Sequence, residues 1–181
     1  MQKSLRSAKK RGELVKVERQ RGWEHLDGVV VATGPKWFVM AVEYDAGFNG
    51  HSILRARDVK RVRTNPPSFA PRALEVEGHW PMPPLDQVDV SGSTRTLVTS
   101  LPGLDELVAI HYEASHPDEC LIGVVSRAGN RKVTLQTIDT QAHWDHEASK
   151  IAYREITRFD IGDPYLQRLR QANEAHGSAA R

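Results

Sequence analysis

Gly28-Val29-Val30-Val31-Ala32, a β-branched run that starts on a glycine and stops at Thr33-Gly34-Pro35, decides the fold. Ahead of it, Leu14-Val15-Lys16-Val17-Glu18 alternates apolar and polar residues and breaks at Arg21-Gly22, the pattern of a half-buried strand. Behind it, Trp37-Phe38-Val39-Met40-Ala41-Val42-Glu43 has the aromatic and β-branched content of a buried strand. That strand closes on a turn-rich tract, Asp45-Ala46-Gly47-Phe48-Asn49-Gly50, and His51-Ser52-Ile53-Leu54-Arg55 reads as a fourth strand. Asp58-Val59-Lys60-Arg61-Val62 places its apolar residues three apart, as in a single tight turn that feeds a short closing strand.

The same order starts again downstream. Residues 93–101 begin on the capping residue Ser93, stop at Pro102-Gly103 and precede a strand, as residues 4–11 precede Leu14. Leu14-Val15-Lys16-Val17 faces Leu107-Val108-Ala109-Ile110, and Asp27-Gly28-Val29-Val30 faces Ile122-Gly123-Val124-Val125. Residues 38–42 face residues 133–138, and Arg57-Asp58-Val59-Lys60-Arg61-Val62 faces Arg154-Glu155-Ile156-Thr157-Arg158-Phe159. Four segments matched in order, with a shared glycine and a shared ending, point to an internal duplication. Between the copies, Pro66, Pro67, Pro71, Pro81, Pro83 and Pro84 exclude central strands, and only residues 73–77 can form a short helix. The expected organisation is a first unit over residues 1–64, a proline-rich linker over 65–92, a second unit over 93–163, and a C-terminal helix and tail over 164–181. Asp163 and Pro164 hold the N-cap and first-turn positions of that helix, and residues 177–181 read as a frayed tail.

Composition narrows the class. The chain has 181 residues, 39% of them hydrophobic and 27% charged, which is globular, and no apolar run approaches the roughly 20 residues of a membrane span. The basic first 17 residues are not followed by an apolar stretch or a small-residue cleavage site, so the cytoplasm is the expected compartment. Cys120 is the only cysteine, which excludes an internal disulfide or a multi-cysteine zinc site, and it reads as a small buried residue at a strand start. The net charge of +2 is mild, but cations cluster in residues 3–21 and again at Arg55, Arg57, Lys60, Arg61 and Arg63.

A leading helix, then five short strands with a glycine-bearing bent second strand and a one-turn segment before the last, resembles the Sm-like and SH3-like small barrels. The resemblance rests on Gly28, residues 37–43, residues 51–55 and Asp58-Val59-Lys60-Arg61-Val62. It implies a mostly β protein of two tandem five-stranded barrels with short flanking helices. It also implies RNA binding through an Asn-bearing loop after the third strand and an Arg-Gly pair after the fourth. Asn49 stands in that loop, while Arg57 is followed by Asp58 where the family has glycine.

Catalytic signatures are missing. There is no G-x-S-x-G elbow, phosphate loop or G-x-G-x-x-G turn, and no cofactor is implied. His143-Trp144-Asp145-His146-Glu147 is the most chemical-looking stretch. It falls in an expected loop, where imidazoles three apart lack the helical turn that would aim both at one metal. The alternative reading is a metal-dependent hydrolase centred on His143 and His146. The favoured reading is a non-enzymatic binding or adaptor protein whose partner is RNA, DNA or another protein, present as a monomer of paired barrels or as a homo-oligomer, with no membrane. Its nucleic-acid contacts would be Asn49, Arg55, Arg57, Lys60 and Arg61. Trp37 is expected in the core and Trp80 against a barrel, leaving Trp23 and Trp144 as candidate exposed recognition aromatics.

Overall fold

The computed structural model describes residues 1–20, 23–101 and 106–179, so the expected breaks at Arg21-Gly22 and Pro102-Gly103 lie outside the described residues. The chain is mostly β. Helix α1 (Gln2–Arg11) leads into β1 (Leu14–Arg19), β2 (Leu26–Thr33), β3 (Trp37–Tyr44) and β4 (Gly47–Arg55). A one-turn 3₁₀ segment, Ala56–Asp58, precedes β5 (Val59–Thr64). Then come α2 (Ala70–Val76), α3 (Thr94–Thr99), β6 (Val108–His111), β7 (Cys120–Ala128), β8 (Lys132–Thr137), β9 (Ser149–Ala152), β10 (Arg158–Ile161) and α4 (Pro164–Ala179). No described helix is long and apolar enough to cross a membrane.

The helix ends follow local chemistry. Gly12 ends α1 in the left-handed conformation at φ 59°, its N–H meeting the carbonyls of Ala8 and Lys9. Ser93 caps α3 by accepting from Thr96 N, and Asp163 Oδ1 accepts from Leu166 N at 2.9 Å at the head of α4. Helix α4 continues through Ala179, so the expected frayed tail is helical over residues 177–179. Ala-rich sequence with one glycine extends a helix that Leu166 and Leu169 already anchor in the core.

The ten described strands share one antiparallel sheet in the order β5-β1-β2-β3-β4-β10-β6-β7-β8-β9. Its two parts have the same internal order: β5-β1-β2-β3-β4 and β10-β6-β7-β8-β9. Gly28 and Gly123 occupy matching places, where a Cβ would stand 2.2 Å from the Ala41 carbonyl and 2.0 Å from the Gln136 carbonyl. Three residues after each glycine the register slips by one, at Val31 and at Ser126.

The sheet does not close into the two expected five-stranded barrels. The hydrogen-bonded sheet is open, with β5 and β9 at its edges, because the free side of β4 is taken by β10: Leu54 pairs with Arg158, Ile53 with Phe159, Ser52 with Asp160 and His51 with Ile161. A second correction concerns the turn before His51. Only Asp45 and Ala46 turn, both at positive φ, and β4 begins at Gly47, so Asn49 lies inside a strand and not in a loop.

Among the described residues, four apolar clusters form the core. The largest draws Trp37, Val39 and Ile53 together with Leu97, Ile110, Leu135, Ile156 and Phe159, so it spans both parts of the sheet. Trp37 and Phe159 rings lie 5.4 Å apart across it. The opposite face of β3 sends Phe38 and Met40 into a cluster closed by Leu5 and Ala8 of α1. The remaining two lie under α4, and around Leu74, Met82 and Trp80. Trp37 and Trp80 therefore stand where the sequence places them. Cys120 opens β7 as expected but is exposed, since the first residue of that strand, opposite His111, lies beyond the end of the core.

Candidate nucleic-acid interface

A cleft of about 580 Å³ opens where the two parts of the sheet meet, lined by Met1, Gln2, Pro35, Lys36, Trp37, Arg55, Ala56, Arg57, Thr94, Tyr153 and Arg154. Short hydrogen bonds build its walls. Gly34 N–H reaches the Trp37 carbonyl at 2.8 Å, which folds the Gly-Pro-Lys turn. Ala56 N–H donates to the Lys36 carbonyl at 2.8 Å, which draws that turn to the 3₁₀ segment. Gln2 Nε2 donates to the Pro35 carbonyl at 3.0 Å, and Trp37 Nε1 to Thr94 Oγ1 at 3.2 Å.

Arg55 joins the two sides. Its Nε donates to Asp58 Oδ2 at 2.5 Å and its Nη1 to the Arg154 carbonyl at 2.9 Å. This guanidinium is committed to the protein and holds the 153–154 segment against the first part of the sheet. Tyr153 is fixed at both ends, its N–H on the Arg131 carbonyl at 3.0 Å and its hydroxyl donating to the Gly129 carbonyl at 2.9 Å. Lys36, Arg57 and Arg154 then stand at the rim, the last two with side chains 69% and 86% exposed. Their nearest carboxylates, Asp58 at 3.9 Å from Arg57 and Glu155 at 3.8 Å from Arg154, are at ion-pair range but not at hydrogen-bond distance. Among the described residues no Asp or Glu lines the cleft itself, and Asp58 and Glu155 stand behind its rim as partners of Arg55, Arg57 and Arg154.

The residues singled out from sequence divide. Arg55 and Arg57 line the cleft. Lys60 and Arg61 are exposed on edge strand β5, with Arg61 opposite Glu18. Asn49 lines a second cleft, of about 590 Å³, at the other end of β3 and β4. Trp23 is partly buried beneath the Arg19 guanidinium, 4.9 Å from its ring centroid, and Trp144 is 42% exposed with Nε1 on Asn173 Oδ1 at 3.0 Å. Lys36, Tyr153 and Arg154 were not among the sequence candidates. For Arg154 a signal existed, since laying the two halves of the sequence side by side sets it opposite Arg57; a lone lysine in a Gly-Pro-Lys turn carries none.

The second cleft borders a buried polar network on β4, β10 and β6. His111 Nε2 lies 2.7 Å from Asp160 Oδ2, and Ser52 Oγ donates to Asp160 Oδ1 at 2.5 Å. Arg158 Nε lies 3.0 Å from Asp160 Oδ2, off the line of a hydrogen bond. Burial opposes ionisation of Asp160, but the His111 hydrogen bond and the Arg158 charge outweigh it and hold the carboxyl below its ordinary range. Nearby, Arg19 Nη1 donates to Glu113 Oε1 at 2.6 Å, and Thr157 donates to the same carboxylate.

His143 lies beside Asp139, at 3.8 Å, in the turn closed by the Ile138–Trp144 bridge, so the two imidazoles of 143 and 146 have no helical turn to align them. Among the described residues, no group of three or more His, Cys, Asp or Glu side chains is gathered as a metal would require. No family model, curated protein or solved structure matches this chain.

Proposed function

We propose that this chain is a non-enzymatic, cytoplasmic binding or adaptor protein that takes nucleic acid at the cationic cleft. The observation that carries the reading is the convergence of Lys36, Arg57 and Arg154 around a concave surface with no carboxylate in its lining. Cations arranged in this way meet phosphates, and the release of counterions supplies the affinity. We read the two parts of the sheet as tandem copies of an Sm-like or SH3-like unit. The repeated strand order, the matched glycines and the matched register slips support that reading. In it, Arg57 and Arg154 hold one position in two copies and face one another across a shared cleft.

The test is fluorescence anisotropy with random single-stranded RNA and with duplex DNA, at low and at physiological salt. The expected result is micromolar or tighter binding that weakens steeply with salt. Arg57→Ala with Arg154→Ala lowers the log–log salt slope by about 0.7 per lost contact on a single strand. Arg55→Ala is the wrong probe, because it also releases Asp58 and the 154 carbonyl. Absence of binding at low salt sinks the reading and turns attention to an acidic protein partner.

A further inference from the structure

The lining of the cationic cleft is not uniformly polar: Met1, Pro35 and the half-buried Tyr153 lie below the rim of Lys36, Arg57 and Arg154, with the buried Trp37 and Ala56 behind them. Phosphate alone has no use for such a lining. A nucleotide does, since it joins a flat apolar base to an anion, and the cleft's 580 Å³ falls in the range of small-ligand pockets. We infer that the cleft selects single-stranded nucleic acid by accepting one unstacked base against Tyr153, with the flanking phosphates on Arg57 and Arg154. This rests on the proposed nucleic-acid function and goes further, because it specifies strandedness and names an aromatic contact.

Three features carry it. Tyr153 is anchored through both its N–H and its hydroxyl, so its ring is pre-positioned and little side-chain entropy is lost when a base meets it. The two rim arginines come from opposite sides of the cleft, Arg57 from the 3₁₀ segment and Arg154 from the segment after β9, so a backbone passing between them carries its base over Met1, Pro35 and Tyr153. A duplex offers phosphates to the rim, but its paired, stacked bases cannot enter without being opened, at a cost of a few kcal/mol.

The experiment compares, at one salt concentration, a labelled short single-stranded DNA, its blunt duplex, and an abasic strand of the same length that keeps phosphates and sugars. The single strand is expected to bind about tenfold or more tighter than either, the scale of one base–aromatic contact. Tyr153→Leu brings it to the abasic level with the salt slope unchanged, and Tyr153→Phe, which keeps the ring but loses the bond to the Gly129 carbonyl, binds more weakly than the unaltered protein and still above the abasic level. This comparison uses the unaltered protein, so it decides even if Tyr153→Leu fails to fold. Equal affinity for all three ligands overturns the base contact and leaves the proposed function standing; no binding to any of them removes both.

Discussion

Arg19, the last residue of β1, and Glu113, in the turn after β6, are 4% and 6% exposed and pair through both guanidinium ends. Burial works against the Glu113 carboxylate, yet the Arg19 hydrogen bond and charge and the Thr157 hydroxyl hold it below its ordinary range, as His111 and Arg158 do for Asp160. His51 titrates differently. Burial pushes its imidazole below the usual value of about 6.5, only partly opposed by the bond between Nε2 and the Pro83 carbonyl at 2.9 Å. All three groups have folded values below their unfolded ones. Their stabilising contribution is therefore complete above the unfolded value and is lost as pH falls. The melting temperature is expected to decline gently below about pH 6.5, from His51, and steeply below about pH 4.5, from Glu113 and Asp160. His51→Gln should flatten the gentle limb and leave the steep one. If the limb survives in that variant, His51 is not its origin.

At the scale of elements, the seam between β4 and β10 depends on Gly50. This residue sits at φ 74°, and a Cβ there would stand 2.6 Å from both the Ile161 carbonyl and Asp163 N. Gly50→Ala combines left-handed strain of about 1–2 kcal/mol with a backbone clash, so a loss of roughly 2 kcal/mol or more is expected in urea unfolding. A loss below about 0.5 kcal/mol would show that β10 can shift without cost. The strands were legible in sequence wherever period and composition agreed, as in residues 37–43 and 28–32. The start of β4 was not, because Phe48-Asn49-Gly50 has turn composition, and the left-handed Ala46 is an unusual residue for the tight hairpin that pairs Tyr44 with Gly47. β9 was missed because four residues, Ser149-Lys150-Ile151-Ala152, carry almost no periodic signal. The seam itself was invisible, since local patterns record which face of a strand is apolar but not which distant strand it joins. Part of the cleft was therefore readable, from Arg55 and Arg57 and from the alignment that sets Arg154 opposite Arg57, while Lys36 carried no signal and the approach of Tyr153 and Arg154 to the first part of the sheet depended on that pairing.

Over the whole molecule, the Trp37–Phe159 cluster ties both parts into one core, while the two clefts at opposite ends of β3 and β4, roughly 20 Å apart along the strands, carry opposite charge. Glu24, Asp27, Glu43, Asp45, Asp160 and Asp163 line the far one, against the single arginine Arg158. A shared core predicts a single unfolding transition. Far-UV circular dichroism and tryptophan fluorescence should give coincident urea curves, and Phe159→Ala should shift both by about 3–5 kcal/mol. Two separated transitions would falsify the shared core as the unit of stability. The open sheet edges are handled differently from the seam: β5 exposes Lys60, Arg61 and Arg63 along an edge, and β9 is only four residues long, both features that discourage strand addition by another molecule. β4 has no such protection of its own. It ends at Arg55, whereas its partner β10 begins at Arg158, so a ribosome moving at about 5–20 residues per second leaves that apolar edge bare for roughly 5–20 seconds of translation. During that interval the side of β4 that β10 will take has no strand of its own chain to pair with.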